Sequence, residues 1–301
     1  MTILDRVGNT PLIALPLFSN VAPGVSLWAK AEFMNPSGSV KDRAAKAMVL
    51  DGIARGALTP EKTIIDATSG NTGIAYAMMG AALGYKVVLY MPQNTSAERK
   101  QIIRHYGAAI VETDPLEGSD GAYLAVKAQV ASDPARYFYP DQYNNPVNPA
   151  THFATTGAEI WQQTQQRVTH FIASMGTSGS FVGIAQRLKQ ENPLVQTLAV
   201  QPASPFHGIE GTKHMASSIK PGILDETLQD GVITVTTEEA YATTRRLARR
   251  AGIFVGVSSG ANVAAATTLA STLPADAVVV TLLCDTGSRY LADPFWNETD
   301  D

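Results

Sequence analysis

From Thr63 onward the chain alternates short apolar, β-branched runs with longer amphipathic ones, and that alternation admits few folds other than parallel strands joined by helices. Strands are expected at 63–66, 86–91, 109–112, 169–173, 197–200 and 277–283. Helices are expected near 73–83, 96–106, 118–131, 180–190, 237–251 and 260–271. No internal repeat interrupts this α/β pattern. With 301 residues the chain is too long for a small single core, which favours two medium domains. A turn-rich stretch at 141–149 breaks the alternation; its two prolines argue against a helix and for a crossing between domains. A second irregular stretch, 201–230, is long for a plain connection and has the character of a functional loop.

Composition excludes several roles. A net charge of −4 leaves no electrostatic footprint for nucleic acid, and Arg245, Arg246, Arg249 and Arg250 sit together on what reads as a solvated helix face. Cys284 is the only cysteine, so no intramolecular disulfide forms. The N-terminus lacks a basic stretch followed by an apolar one, and no apolar run reaches about 18 residues, so the expectation is a cytoplasmic protein with no membrane contact.

Four segments carry chemistry. In Asn35-Pro36-Ser37-Gly38-Ser39-Val40-Lys41-Asp42-Arg43 a turn rich in Pro, Ser and Gly precedes strong helix formers and presents Lys41 at the helix start. Cations are disfavoured there by the backbone dipole, so the placement suggests a partly buried, neutral amine able to form an imine; an exposed helix-start lysine is the plain alternative. The strand ending at Asp66 runs through Ala67-Thr68-Ser69-Gly70-Asn71-Thr72-Gly73 into a helix, where free N–H groups, hydroxyls and one amide suit a small carboxylate better than simple N-capping does. After the strand near Ala173, the loop containing Gly176, Thr177, Ser178, Gly179 and Ser180 offers amides and hydroxyls to a single monoester phosphate. The Walker lysine and the dinucleotide glycine spacing are both missing.

The fourth segment, Gly256-Val257-Ser258-Ser259-Gly260, fits the pattern of a hydrolase nucleophile elbow at Ser258. That fold places its histidine after the serine, yet His105, His152, His170, His207 and His214 all precede it. The same five lack metal-ligand spacing and read as surface or packing residues. An imine lysine, a phosphate cradle, a carboxylate turn and a hydroxyl loop together match the parts of pyridoxal 5′-phosphate and an amino-acid substrate. A serine beside the ring nitrogen leaves that nitrogen largely neutral, which suits β-elimination.

These residues resemble the cysteine synthases (O-acetylserine sulfhydrylases) of the tryptophan synthase β-like class. The likeness runs from Gly8-Asn9-Thr10-Pro11-Leu12 through the four segments and 142–146 to Gly287-Ser288-Arg289-Tyr290-Leu291. Cys284-Asp285 and the segment 156–163 look most like the B-type enzyme. The resemblance implies the two-domain fold type II architecture, each domain a mostly parallel sheet flanked by helices. A smaller mobile substrate-binding domain is expected at 37–147, and a larger cofactor-binding one at 1–36 and 148–301. It implies that Lys41 anchors the cofactor and removes the α-proton, that Asn71 bonds the ring hydroxyl, that Gly176, Thr177, Ser178, Gly179 and Ser180 hold the phosphate, and that Ser258 faces the ring nitrogen. Thr68, Ser69, Thr72 and Gln142 would bind the substrate carboxylate. The implied reaction converts an O-activated L-serine, O-acetylserine first, and sulfide or another sulfur donor into L-cysteine in a homodimer.

Alternatives from the same class are O-phosphoserine sulfhydrylase, cystathionine synthesis and deamination; from another class, a catalytically silent regulatory protein, against which Lys41 and the phosphate loop both stand. Residues 208–214 depart from the B-type arginine pair and offer Lys213 instead, a cation for an anionic donor or a phosphorylated serine, or a loop lysine with no role. Cys284 reads as a small apolar filler and the acidic tail from Asp293 as a frayed end.

Overall fold

A computed structural model describes residues 1–18, 22–68 and 70–299, together with the backbone of Ser19. Ser69, expected in the substrate turn, therefore lies outside the described residues. In chain order the elements are β1 (Leu12–Ala14), α1 (Pro16–Ser19), β2 (Ser26–Ala31), α2 (Lys41–Ala54), β3 (Thr63–Ala67), α3 (Asn71–Leu83), β4 (Lys86–Pro92), α4 (Ala97–His105), β5 (Ala109–Thr113), α5 (Gly118–Ser132) and β6 (Tyr137–Phe138). There follow α6 (Val147–His152), a π turn (Phe153–Gly157), α7 (Ala158–Gln163), β7 (His170–Ser174), α8 (Gly179–Glu191), β8 (Gln196–Pro202), β9 (Gly231–Val235), α9 (Thr237–Ala251), α10 (Val257–Ala270) and β10 (Val278–Leu283).

Two compact units divide the chain. The first comprises Met1–Val7, Asn35–Ser37 and Lys41–Asn148, the second Gly8–Met34, Gly38–Val40 and Pro149–Asp301. In the first, four parallel strands run in the order β5-β4-β3-β6. Side chains alternate across β3: Ile64 joins Tyr76, Met79 and Ile103 on one face, while Ile65 and Ala67 meet Ala122 and Val126 of α5 on the other. The second unit holds six strands in the order β1-β2-β10-β7-β8-β9, all parallel except the β1–β2 pair. Every residue of β10 is buried, as a central strand of a sheet covered on both faces requires; Val279 and Leu283 face α9 and α10, and Val280 and Leu282 face α7 and α8.

The fold is thus the expected fold type II arrangement of two mostly parallel, helix-flanked sheets. Local signals place the helix ends. Thr236 and Glu239 form a capping box at the start of α9, and Gly252 closes it in the left-handed region.

Strands β1, β2, β6 and β9 were not anticipated. β6 is two residues long, β9 is a half-exposed edge, and β2 carries Lys30 at a fully buried position, so none reads as an apolar run. The expected absence of helix through 141–149 fails at its end. α6 opens at Val147, and Pro149 falls in its first turn, where an N–H has no intrahelical partner to lose. One arginine of α9 leaves the expected solvated face: Arg245 is buried, donating to Phe295 C=O at 3.1 Å and Glu298 at 2.6 Å, whereas Arg246, Arg249 and Arg250 are exposed, Arg246 lying over the Phe18 ring. The tail is docked as far as Glu298, with Phe295 buried and stacked on Tyr241 at 4.5 Å.

Candidate active site

Each sheet, within its own unit, reverses its strand order at one point, and the loops leaving the carboxyl ends of its strands diverge there, which in open α/β sheets opens a crevice for ligands. In the first unit the reversal lies between β3 and β6. The turn after β3 carries Thr68, Asn71 and Thr72; the loop after β6 carries Gln142. Thr68 Oγ1 accepts from the Gly70 and Gly73 N–H groups at 3.0 and 3.1 Å and fixes the turn. Gln142, buried, ties the two loops together: its Nε2 donates to Ala67 C=O at 2.9 Å, and its Oε1 accepts from Thr72 Oγ1 at 2.8 Å. Asn148 Nδ2 supports Gln142 from behind through its carbonyl at 2.8 Å. Asn71 opens α3 and is half-buried.

Lys41 opens α2, also half-buried. Asp42 holds the turn ahead of it, accepting from Ser37 N–H at 2.6 Å and from Ser37 Oγ. Within the second unit, residues 38–40 lie against the loop leaving β10: Val40 N–H donates to Cys284 C=O at 2.8 Å, Ser39 bridges Asp285, and Thr286 N–H donates to Gly38 C=O at 3.1 Å.

The second sheet reverses between β7 and β10, and the phosphate-type loop leaves β7 at that point. Helical bonding in α8 begins with Val182 N–H onto Ser178 C=O, so the N–H groups of Gly179 to Phe181 open the helix. Ser178 is only 1% exposed, adopts φ +67°, and its Oγ is buried with no protein partner. A non-glycine residue held in the left-handed region with an orphaned hydroxyl is costly, and an anion at the helix opening would accept from it. Gly176 must be glycine because a Cβ would stand 2.3 Å from Gly211 C=O. The residues therefore fit a monoester phosphate.

Ser258 is buried in the first turn of α10. It is absent from the residues with positive φ, and Gly260 is a packing position, its Cβ site 2.3 Å from Ala240 C=O of α9. The nucleophile-elbow pattern is thus met by a helix start rather than a strained serine turn.

Two polar residues here escaped sequence reasoning. Asn262 accepts from Ser174 N–H at 2.7 Å and donates to Leu282 C=O at 3.0 Å and Cys284 Sγ at 3.3 Å, locking the ends of β7 and β10 together. Its signal was an amide inside an otherwise small, apolar helix. Asp66, an acid ending an apolar strand, is fully buried beneath the turn after β3, and burial pushes its carboxyl up to about 8. Lys213 is buried, with Nζ 3.3 Å from Ile219 C=O and its N–H on Met175 C=O at 2.8 Å. Among the described residues no group of acidic, His or Cys side chains could hold a metal ion, and no helix is long and apolar enough to cross a membrane.

Residues 3–285 match the family model described as pyridoxal-phosphate dependent enzyme. A protein named cysteine synthase from Aquifex aeolicus is 53% identical, the match covering 99% of this chain and 93% of that one. Cysteine synthase B from Escherichia coli is 42% identical over 99% of this chain and 96% of its own. The crystal structure of cysteine synthase from Entamoeba histolytica superposes with a TM-score of 0.94 at 33% identity, covering 99% of this chain and 91% of that one.

Proposed function

Because this chain belongs to the pyridoxal-phosphate dependent enzyme family, we infer that it makes L-cysteine by replacing the β-substituent of an O-activated L-serine with sulfur. The cofactor, when bound, supplies an electrophilic aldehyde and an electron sink for the α-carbon. The observation that carries its placement is the buried, partnerless Ser178 Oγ at the opening of α8, beside a glycine that no other residue can replace.

In this reading the loop of Gly176, Thr177, Ser178, Gly179 and Ser180 holds the phosphate, Asn71 donates to the ring hydroxyl oxygen, and Ser258 faces the ring nitrogen. Lys41 Nζ holds the aldehyde covalently and later takes the proton from the substrate α-carbon. Thr68, Thr72 and Gln142, already joined across the first switch point, bind the α-carboxylate. The oxygen leaving group departs from Cβ as a carboxylate, and the sulfur nucleophile takes its place on that carbon. Keeping water from that carbon is the task of the loops around it. Residues 37–147 act as the substrate-binding domain, and 1–36 with 148–301 as the cofactor-binding domain. O-acetylserine is the proposed acceptor and sulfide the donor, in a cytoplasmic homodimer.

The test is to supply the purified protein with O-acetylserine or O-phosphoserine, then sulfide, while following the visible spectrum and cysteine formation. Cysteine should form faster from O-acetylserine, and Lys41→Ala should abolish it. A protein that takes up no pyridoxal phosphate and makes no cysteine from either serine ester overturns the reading.

A further inference from the structure

The carboxyl of Asp66 occupies a place where chemistry would sooner have an amide. It sits near the end of β3, 0% exposed, on the sheet face that meets α3, directly before the turn of Ala67 to Thr72. Its Oδ1 accepts from Ala67 N–H at 2.7 Å. Its Oδ2 has no hydrogen-bond partner, and neither has the hydroxyl of Tyr76, an equally buried residue that acts on the carboxyl. Gln142, from the loop that closes the turn, donates through its Nε2 to Ala67 C=O at 2.9 Å, so the acid and the amide hold the two sides of one residue.

Among the groups that act on it are Tyr76 from α3 and Asp141 from the loop after β6, and its charge acts in turn on Tyr139 and Tyr143 of that loop. Burial and the like charge of Asp141 both favour the protonated form. An asparagine would accept from the same Ala67 N–H without the cost of burying an ionisable group. What the acid adds is a proton that can leave.

We infer that Asp66 is a positioning residue for the amino acid's carboxylate: as a neutral acid it holds Ala67, the residue through which Gln142 joins the two loops of the first switch point, and on losing its proton it weakens substrate binding by placing a negative charge beneath that turn. This rests on the reading that Thr68, Thr72 and Gln142 bind the carboxylate. A buried anion repels a nearby one more strongly than the same pair would repel in water.

The experiment measures Kd for L-alanine, which has no leaving group, on the holoenzyme from the change in its visible band, between about pH 6.5 and about pH 9.5. The wild-type protein, Asp66→Asn, Tyr76→Phe and Gln142→Ala are compared. The ligand amine and the cofactor titrate in every protein, so the ratio of wild-type to Asp66→Asn Kd isolates the carboxyl. That ratio should rise at least about fivefold across the range. Removing the Tyr76 hydroxyl, which favours the ionised acid, should shift the loss of affinity to higher pH.

A ratio constant within about twofold, or a Tyr76→Phe profile superimposable on the wild type, overturns the inference. Gln142→Ala separates the two levels. If it binds L-alanine as tightly as the wild type, the carboxylate reading itself is wrong; if it binds weakly while the ratio stays flat, only the role of Asp66 is wrong. Should Asp66→Asn not fold, the Tyr76→Phe comparison decides.

Discussion

Lys30 Nζ lies 2.6 Å from Glu159 Oε2, with the lysine side chain wholly withdrawn from solvent. Gln163 accepts from the same ammonium at 2.9 Å, as does Thr10 C=O, and Glu159 Oε1 accepts from Asn9 N–H at 3.1 Å. The N-terminal Gly8 to Leu12 motif and the segment at 156–163, both prominent in the sequence, thus meet on one buried cation and act as scaffold. Removing one member of a buried pair leaves the other charge uncompensated. Glu159→Ala should therefore cost about 3–5 kcal/mol in denaturant unfolding, and the double replacement Lys30→Met, Glu159→Leu should recover much of it.

Ser178 carries two opposed demands. Glycine there would relieve the left-handed backbone by about 1 kcal/mol while removing the orphaned hydroxyl. Ser178→Gly should raise the melting temperature of the apoprotein yet weaken pyridoxal phosphate binding by about tenfold, the size of one lost hydrogen bond to a charged group. Calorimetry of the apoprotein and a cofactor titration check the two halves separately.

Gln142→Ala deletes the donor to Ala67 C=O and the acceptor of Thr72 Oγ1. Unfolding free energy should fall by about 1–2 kcal/mol. If Gln142 binds the carboxylate as proposed, KM for the serine ester should rise by about tenfold with a smaller change in kcat, since that contact would serve binding before and during the reaction alike. Steady-state kinetics at saturating sulfide measure both.

Asp66 also gives stability a pH dependence of definite sign. Its carboxyl is raised in the folded protein, to about 8, above the unfolded value of about 3.9, so the native state holds the extra proton. The stability associated with it is complete below about pH 4 and is lost as pH rises through about 8. Asp66→Asn should therefore melt higher than the wild type at alkaline pH, with the difference shrinking toward pH 4, as thermal scans across that range would record.

Phe295, stacked on Tyr241 and packed beside Trp296, anchors a tail that composition alone would leave loose. Phe295→Ala should cost about 3–5 kcal/mol and free Arg245 from its carbonyl partner. A tail that becomes sensitive to proteases only in this variant would be the accompanying sign.

Much of the fold was legible because its signals are short-range. The β-branched runs at β3, β4, β7 and β10 mark strands through local sterics and burial, and capping residues such as Thr236 with Glu239 end helices within one turn. Elements whose identity depends on neighbours were not legible. β6 is a strand only because β3 lies beside it, and Pro149 is tolerated only because α6 begins two residues earlier. Arg245 looked solvated because nothing in its own helix announces that Glu298, 53 residues away, will cover it.

The sequence by itself determined which loops carry hydroxyls, amides and glycines, where Lys41 falls relative to its helix, and so which chemistry those groups could perform. Only the tertiary structure decided that Thr72 meets Gln142 and that Asn262 joins the ends of β7 and β10. Parallel strands are ordered by pairings between residues far apart in the chain, and hydrophobic runs that look alike carry no local mark of who their neighbours will be.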